Sequence, residues 1–342
     1  MKRPLLLVAL GLAAIAAPAT ARDQIRIVGS STVYPFSTAV AEQFGRSRGF
    51  KTPVVESTGT GGGIKLFCSG LGDATPDIAN ASRRMKDTEL AACQAAGVSE
   101  IVEVKIGYDG IVIANAKGAK PIALTKQQIF QALAKQVPVN GKLVPNPYAK
   151  WSDIDKALPA VRIEVLGPPP TSGTRDAFVE LAMEGGAKAF PMLAELKAKD
   201  EDGFKAVAHA IREDGAYVEA GENDNLIVQK LVANPNAFGV FGYSFLEENT
   251  DKVRGNSVDG VAPTFEAIAD GSYGISRALF FYVKKAHVGK VPGLKEFIAA
   301  FLSDAASSED GYLADRGLIP MEQAERVAVR KSALALTQFA LK

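Results

Sequence analysis

Apolar residues recur along this chain in two alternating rhythms. Short β-branched runs are followed by stretches in which apolar positions return every three or four residues. Residues 24–29, with Ile25, Ile27 and Val28, read as a strand. Val33, Phe36, Val40 and Phe44 then fall at i, i+3, i+7 and i+11, one face of a helix over 33–45. Pro35 suits the first turn of that helix, where a missing N–H costs nothing. The rhythm repeats as a strand at 53–56, a Gly/Thr loop at 57–63, a helix start at 64–68, a strand at 76–81 and a helix at 87–96. Residues 101–115 form a long β-rich stretch that the pattern breaks at Gly107-Tyr108-Asp109-Gly110. Beyond it, helices are expected over 126–133, 175–184, 201–211, 294–302 and 321–341. Strands are expected at 161–166, 238–243 and 279–283, and a Pro/Gly/Asn-rich loop over 138–147. Strands alternating with helices imply an α/β fold with a mainly parallel sheet.

The first residues follow a different pattern. Met1-Lys2-Arg3-Pro4 precedes an apolar run from Leu5 to Ala17 and then Ala19-Thr20-Ala21. A basic start, a short apolar core and a small-x-small site describe a secretory signal peptide over 1–21, removed near Ala21. The run is too short to span a bilayer. The exported chain then begins near Arg22, and its length suggests two domains.

Charge adds an exclusion. The chain has 39 Lys and Arg against 38 Asp and Glu, and losing Lys2 and Arg3 leaves 37 against 38. Such a balance gives no basic footprint for nucleic acid and no polybasic patch for anionic lipid. Only Cys68 and Cys93 are present. In an oxidising compartment the pair suggests one disulfide, the alternative being two buried free thiols.

The candidate chemistry lies in four turns of one design, each a strand, then a Ser/Thr/Gly-rich turn, then a helix start. They are Gly29-Ser30-Ser31-Thr32, Gly59-Thr60-Gly61-Gly62-Gly63, Ala81-Ser82-Arg83 and Ser172-Gly173-Thr174-Arg175. The last follows Pro168-Pro169-Pro170. Taken singly, each reads equally as an ordinary helix cap. Together they offer N–H and O–H donors and two guanidiniums, a donor-rich set suited to a tetrahedral oxyanion. In open α/β sheets, ligands bind at the carboxyl ends of strands, where such turns converge.

Competing chemistries lack their parts. Lys65 follows Ile64 and precedes Leu66, where Walker A needs glycine before and Ser or Thr after, and Ile64 also stands where a dinucleotide fingerprint needs glycine. No G-x-S-x-G elbow surrounds any serine, and the two histidines, His209 and His287, form no metal cluster. No cofactor is expected. A secreted phosphatase or other hydrolase on the same turns, a binding protein for a different tetrahedral oxyanion such as sulfate, and a surface role are the rival readings.

The residues Gly29-Ser30-Ser31-Thr32-Val33-Tyr34-Pro35, Gly59-Thr60-Gly61-Gly62-Gly63-Ile64-Lys65, Asp77-Ile78-Ala79-Asn80-Ala81-Ser82-Arg83 and Ser172-Gly173-Thr174-Arg175 carry a resemblance. In order and spacing they are similar to the substrate-binding proteins of the high-affinity phosphate ABC transporters. The resemblance implies a two-lobed periplasmic-binding-protein fold (type II), each lobe a mainly parallel sheet flanked by helices, with two hinge crossings. It places one lobe at 22–114 plus 263–342 and the other at 115–262. It implies a monomer in the periplasm that closes on inorganic phosphate and hands it to permease subunits in the inner membrane, without catalysis. Phosphate contacts carry over to Ser31, Thr32, Val33, Thr60, Ser172, Gly173 and Thr174; the turns themselves add Ser82 as a donor and Arg83 and Arg175 as neutralising charges. Two positions depart from the family. Arg83 stands where well-studied members have an aspartate that accepts the proton of hydrogen phosphate. Pro168–Pro170 occupy the stretch where they have an arginine, a charge that Arg175 is expected to supply. An acceptor is still needed, because unpaired polar groups in a dry site cost about 1–3 kcal/mol each. Asp109 is the expected one; the alternative is a turn residue or an arginine partner.

Overall fold

The computed structural model describes residues 22–47, 49–170, 172–221 and 224–340; the expected signal peptide and Thr171 lie outside them. Nine strands form one mixed sheet that runs through the whole molecule. At one end Val54–Ser57, Arg26–Gly29 and Ile78–Ala81 lie parallel. At the other end Phe238–Gly242, Val165–Gly167 and Tyr217–Glu219 lie parallel. Two long strands, Ile101–Ala116 and Ser276–Lys284, join these halves and pair with each other antiparallel. Helices cover both halves, as βαβ crossovers require. The architecture is therefore α/β and two-lobed, parallel within each lobe and antiparallel where the chain crosses.

Each lobe has its own apolar core. In the first, Ile27, Val40, Phe44, Val104, Phe281 and Phe297 pack on one sheet face. Ile64, Phe67, Cys93, Ile101, Tyr282 and Phe339 pack on the other. The second core gathers Ile113, Phe130, Trp151, Val165, Phe178 and Phe241, and extends to Ile268, Tyr273 and Ile275. A disulfide joins Cys68 to Cys93.

Several expectations change: the Gly/Thr loop expected over 57–63 is helical from Thr60, and the helix expected over 321–341 spans Gln323–Leu334. The stretch expected to break at Gly107-Tyr108-Asp109-Gly110 is one continuous strand, Ile101–Ala116. Ser276–Lys284 pairs with its first half, while Phe238–Gly242 and Val253–Gly255 pair with its second. Turn-forming residues are held extended because neighbouring strands satisfy their backbone groups. The irregularity survives only as a register shift opposite Leu279/Phe280, next to Gly107 at φ 148°.

The loop expected over 138–147 is largely a hairpin of Gln136–Val139 and Lys142–Pro145. Asn140 and Gly141 make its two-residue turn, both with positive φ. The helix expected from Arg175 starts earlier, at Gly173, and passes through a π-helical turn at Val179–Met183 before ending at Ala187.

Candidate functional site

The carboxyl ends of the parallel strands meet at a cleft of about 930 Å3 between the lobes. Ser31 and Thr32 line it from the first lobe. Ser172, Gly173 and Thr174 line it from the second, and Asp109 from the crossing strand. Six of the expected residues thus converge although they are scattered over more than 140 positions of sequence. The lobes approach closely here, since a Cβ on Gly173 would lie 3.3 Å from the Thr32 Cα. Glycine at 173 lets the two turns come together.

Local chemistry prepares each turn differently. Ser172 is the N-cap of its helix, its Oγ accepting from the Thr174 amide at 3.2 Å. The cap reading of Ser172 therefore holds, and the same residue lines the cleft. The Ser30 hydroxyl receives the Val33 amide at 3.4 Å. Ser31 Oγ donates to Asp176 Oδ2 at 2.5 Å, a bond that crosses from one lobe to the other.

Thr60 and Ser82 meet at the neighbouring strand ends of the first lobe. Their hydroxyls are 3.0 Å apart, and the Ser82 amide donates to Thr60 Oγ1 at 3.1 Å. They form a second hydroxyl pair in the same lobe as Ser31, outside the residues that line the cleft.

The two expected arginines point elsewhere. Arg83 makes a forked pair with Glu89, at 2.9 and 2.7 Å. The hydrogen bonds it donates to Glu89 raise its pKa above the ordinary arginine value, although burial opposes this. Arg175 lies over the Tyr217 ring, 4.4 Å from its centroid, and reaches the Pro168 carbonyl at 3.3 Å. It lines an adjoining cavity of about 720 Å3, with Asp176, His209 and Tyr217 on its walls, rather than the cleft. Burial pushes the Tyr217 phenol up to about 12, against the pull of Arg175.

The sequence reading missed two cations: Arg316, which lines the cleft itself, and Arg277, which contacts the cleft residues Thr32 and Asp109. The Arg277 guanidinium donates to Thr32 Oγ1 at 2.8 Å and to Glu180, and its Nε lies 3.5 Å from Asp109 Oδ2. Only 9% of its side chain is exposed. Because Thr32 Oγ1 accepts from Arg277, its own proton is free to be donated into the cleft. Asp109 Oδ2 and Arg277 Nε are both buried without a hydrogen-bond partner among the described residues. Burial raises the Asp109 pKa above the ordinary carboxyl value, and the adjacent Arg277 only partly offsets it. A signal for Arg277 was present: a lone cation at the head of the apolar run Ala278-Leu279-Phe280-Phe281-Tyr282-Val283. Nothing local distinguishes it from a solvated strand end.

The two histidines serve as structural groups. His209 Nε2 lies 2.9 Å from Glu184, and His287 Nδ1 lies 2.6 Å from the buried Asp77. Among the described residues no group of His, Cys, Asp and Glu is arranged to hold a metal.

The known proteins that this chain resembles are consistent in kind. A family model for the PBP superfamily domain matches residues 14–305. The phosphate-binding protein PstS of Staphylococcus saprophyticus is 30% identical, over 84% of this chain and 78% of its own. Protein SphX of Synechocystis is also 30% identical, over 91% and 83%. The crystal structure of a possible phosphate binding protein from Planctomyces limnophilus matches with a TM-score of 0.73 at 26% identity, covering 93% of this chain and 99% of that one. The chain belongs to the PBP superfamily and, within it, to the substrate-binding proteins of phosphate ABC transporters. That family consists of transport receptors rather than enzymes. Its members work in the periplasm or outside the cell, and no described helix is long and apolar enough to cross a membrane.

Proposed function

We propose that this protein binds inorganic phosphate in the cleft between its lobes and delivers it, as a periplasmic monomer, to the permease of an ABC transporter. The observation that carries the reading is the meeting of Ser31 and Thr32 with Ser172, Gly173 and Thr174 beside one buried cation, Arg277. Hydroxyls and the amides at the start of the 173–187 helical run face a small tetrahedral anion, and Arg277 supplies charge. Val33, Thr60 and Ser82 stand outside the cleft lining, the Val33 amide donating to Ser30 Oγ and Thr60 and Ser82 bonding each other. Arg83 and Arg175 stand one layer out, their charge shared with Glu89 and the Tyr217 ring. Closure follows from contacts that the ligand makes to both lobes at once.

Asp109 accepts the proton of hydrogen phosphate in this reading. Its Oδ2 is buried and paired with Arg277 at 3.5 Å, but accepts no hydrogen bond from a described residue, so an O–H brought by a ligand supplies a missing donor. Calorimetry of the purified protein with phosphate and sulfate tests the assignment. Phosphate is expected to bind and sulfate to bind much more weakly, with the difference shrinking in Asp109→Asn. Failure to bind any tetrahedral oxyanion overturns the function, and unchanged discrimination in Asp109→Asn overturns the role of Asp109. Release of product from a chromogenic phosphate ester would restore the hydrolase reading.

A further inference from the structure

Ser31 and Thr32 are adjacent hydroxyls in one turn, yet their hydrogen bonds run in opposite senses. Thr32 Oγ1 accepts from Arg277, which leaves its proton for the cleft. Ser31 Oγ donates its only proton to Asp176 Oδ2 at 2.5 Å. A hydroxyl has one proton and two lone pairs, so a serine whose proton is committed can only accept from a third group. The bond to a carboxylate is of the short, charge-assisted kind that holds such a commitment firmly. Ser31 lines the cleft, whereas Asp176 lines the adjoining cavity behind it. The carboxylate is thus placed to set the sense of the hydroxyl.

We propose that Asp176 is a specificity-determining residue of the phosphate site: it holds Ser31 with its lone pairs toward the cleft, as a second acceptor for a protonated oxyanion beside Asp109. The inference rests on the phosphate reading above. It reverses the donor role that the sequence assigns to Ser31. An oxyanion carrying an O–H donates to Ser31. One without a proton meets an oxygen lone pair backed by a negative charge, so sulfate is disfavoured at this point of the cleft. Ser31 and Asp176 belong to different lobes, so the acceptor is complete only when the lobes are together.

Asp176 acts through Ser31 and is a positioning residue, so the readout is the ratio of phosphate to sulfate affinity. In Asp176→Asn the side-chain amide can donate to Ser31 and free the hydroxyl proton for the ligand. Calorimetry is expected to show tighter sulfate binding and a phosphate-to-sulfate ratio lowered roughly 10- to 100-fold, the worth of one hydrogen bond to a charged group. Ser31→Ala removes the same acceptor from the other lobe, so a poorly folded Asp176→Asn does not end the test. It is expected to lose phosphate affinity, and Asp176→Asn added to it is expected to change the ratio no further. A ratio unchanged in Asp176→Asn, or additive effects of the two substitutions, overturns the role of Asp176 while phosphate binding stands. A wild-type protein that binds neither anion overturns the phosphate reading and this inference with it.

Discussion

Arg277 stands directly opposite Asp109 in the antiparallel ladder between the two crossing strands, with its Nε 3.5 Å from the carboxylate. The pair sits where the chain passes between lobes. From there Arg277 reaches Thr32 on one side and Glu180 on the other. A cation held by residues of both lobes is positioned before ligand arrives, which limits the reorganisation that binding must drive.

Arg277→Met is expected to weaken phosphate binding roughly 10- to 100-fold, because a charged hydrogen-bond partner is lost. Arg277→Lys should fall between, since the charge remains but the fork that spans Thr32 and Glu180 does not. Titration calorimetry on the two variants checks the order.

Asp109 should make stability fall with rising pH. Its folded pKa is raised, so the native state holds the proton more tightly than the unfolded chain does. Stability therefore declines as pH rises from the ordinary carboxyl value through the raised one. Asp109→Asn is expected to melt at or above the wild-type temperature at neutral pH. The difference should close at pH values below the ordinary carboxyl range, as followed by circular dichroism.

Glu184 should act in the opposite sense. Burial opposes its ionisation, but hydrogen bonds from His209 and Lys197 outweigh burial and hold its pKa down at about 2. Its contribution is present above the ordinary glutamate value and is lost as pH falls toward 2. Glu184→Gln is expected to cost at most about 3 kcal/mol at neutral pH. Denaturant unfolding at neutral pH and at low pH would show the penalty shrinking in acid.

Replacing Cys68 and Cys93 with alanine should lower stability by about 3 kcal/mol, because the disulfide closes a loop of 25 residues. The bridge packs in the first lobe, away from the residues that line the cleft. Phosphate affinity measured below the melting transition is expected to be unchanged.

Gly173→Ala tests closure without removing a polar group. Its Cβ would lie 3.3 Å from the Thr32 Cα, backbone that cannot swing aside. Weaker phosphate binding is expected with an unchanged or higher melting temperature, since alanine favours the helix.

Much of the fold was legible in periodicity. The helix Tyr34–Ser47 was readable because Phe36, Val40 and Phe44, with Val33 just before it, repeat at helical spacing, and all four residues are buried. The strands at 26–29, 78–81 and 238–242 were readable as short apolar runs between turn residues. The crossing strand was misread at Gly107-Tyr108-Asp109-Gly110 because local turn preference is weak beside pairing on both edges. The hairpin at 136–145 was missed although Asn140-Gly141 is a strong hairpin signal flanked by alternating residues.

Sequence by itself determined the α/β class, the four donor-rich turns and the family resemblance, because these rest on residue type and on spacing within one element. Tertiary structure alone decided which charged groups serve those turns. Arg83 and Arg175 stand in the motifs, yet Glu89 and the Tyr217 ring engage them. Arg277 stands in no motif and reaches Thr32 from a strand 245 positions away. Ser31 reads as a donor until Asp176, on the opposite lobe, takes its proton. The sense of a hydrogen bond and the partner of a guanidinium depend on atoms brought together by folding, and neighbouring residue types do not specify them.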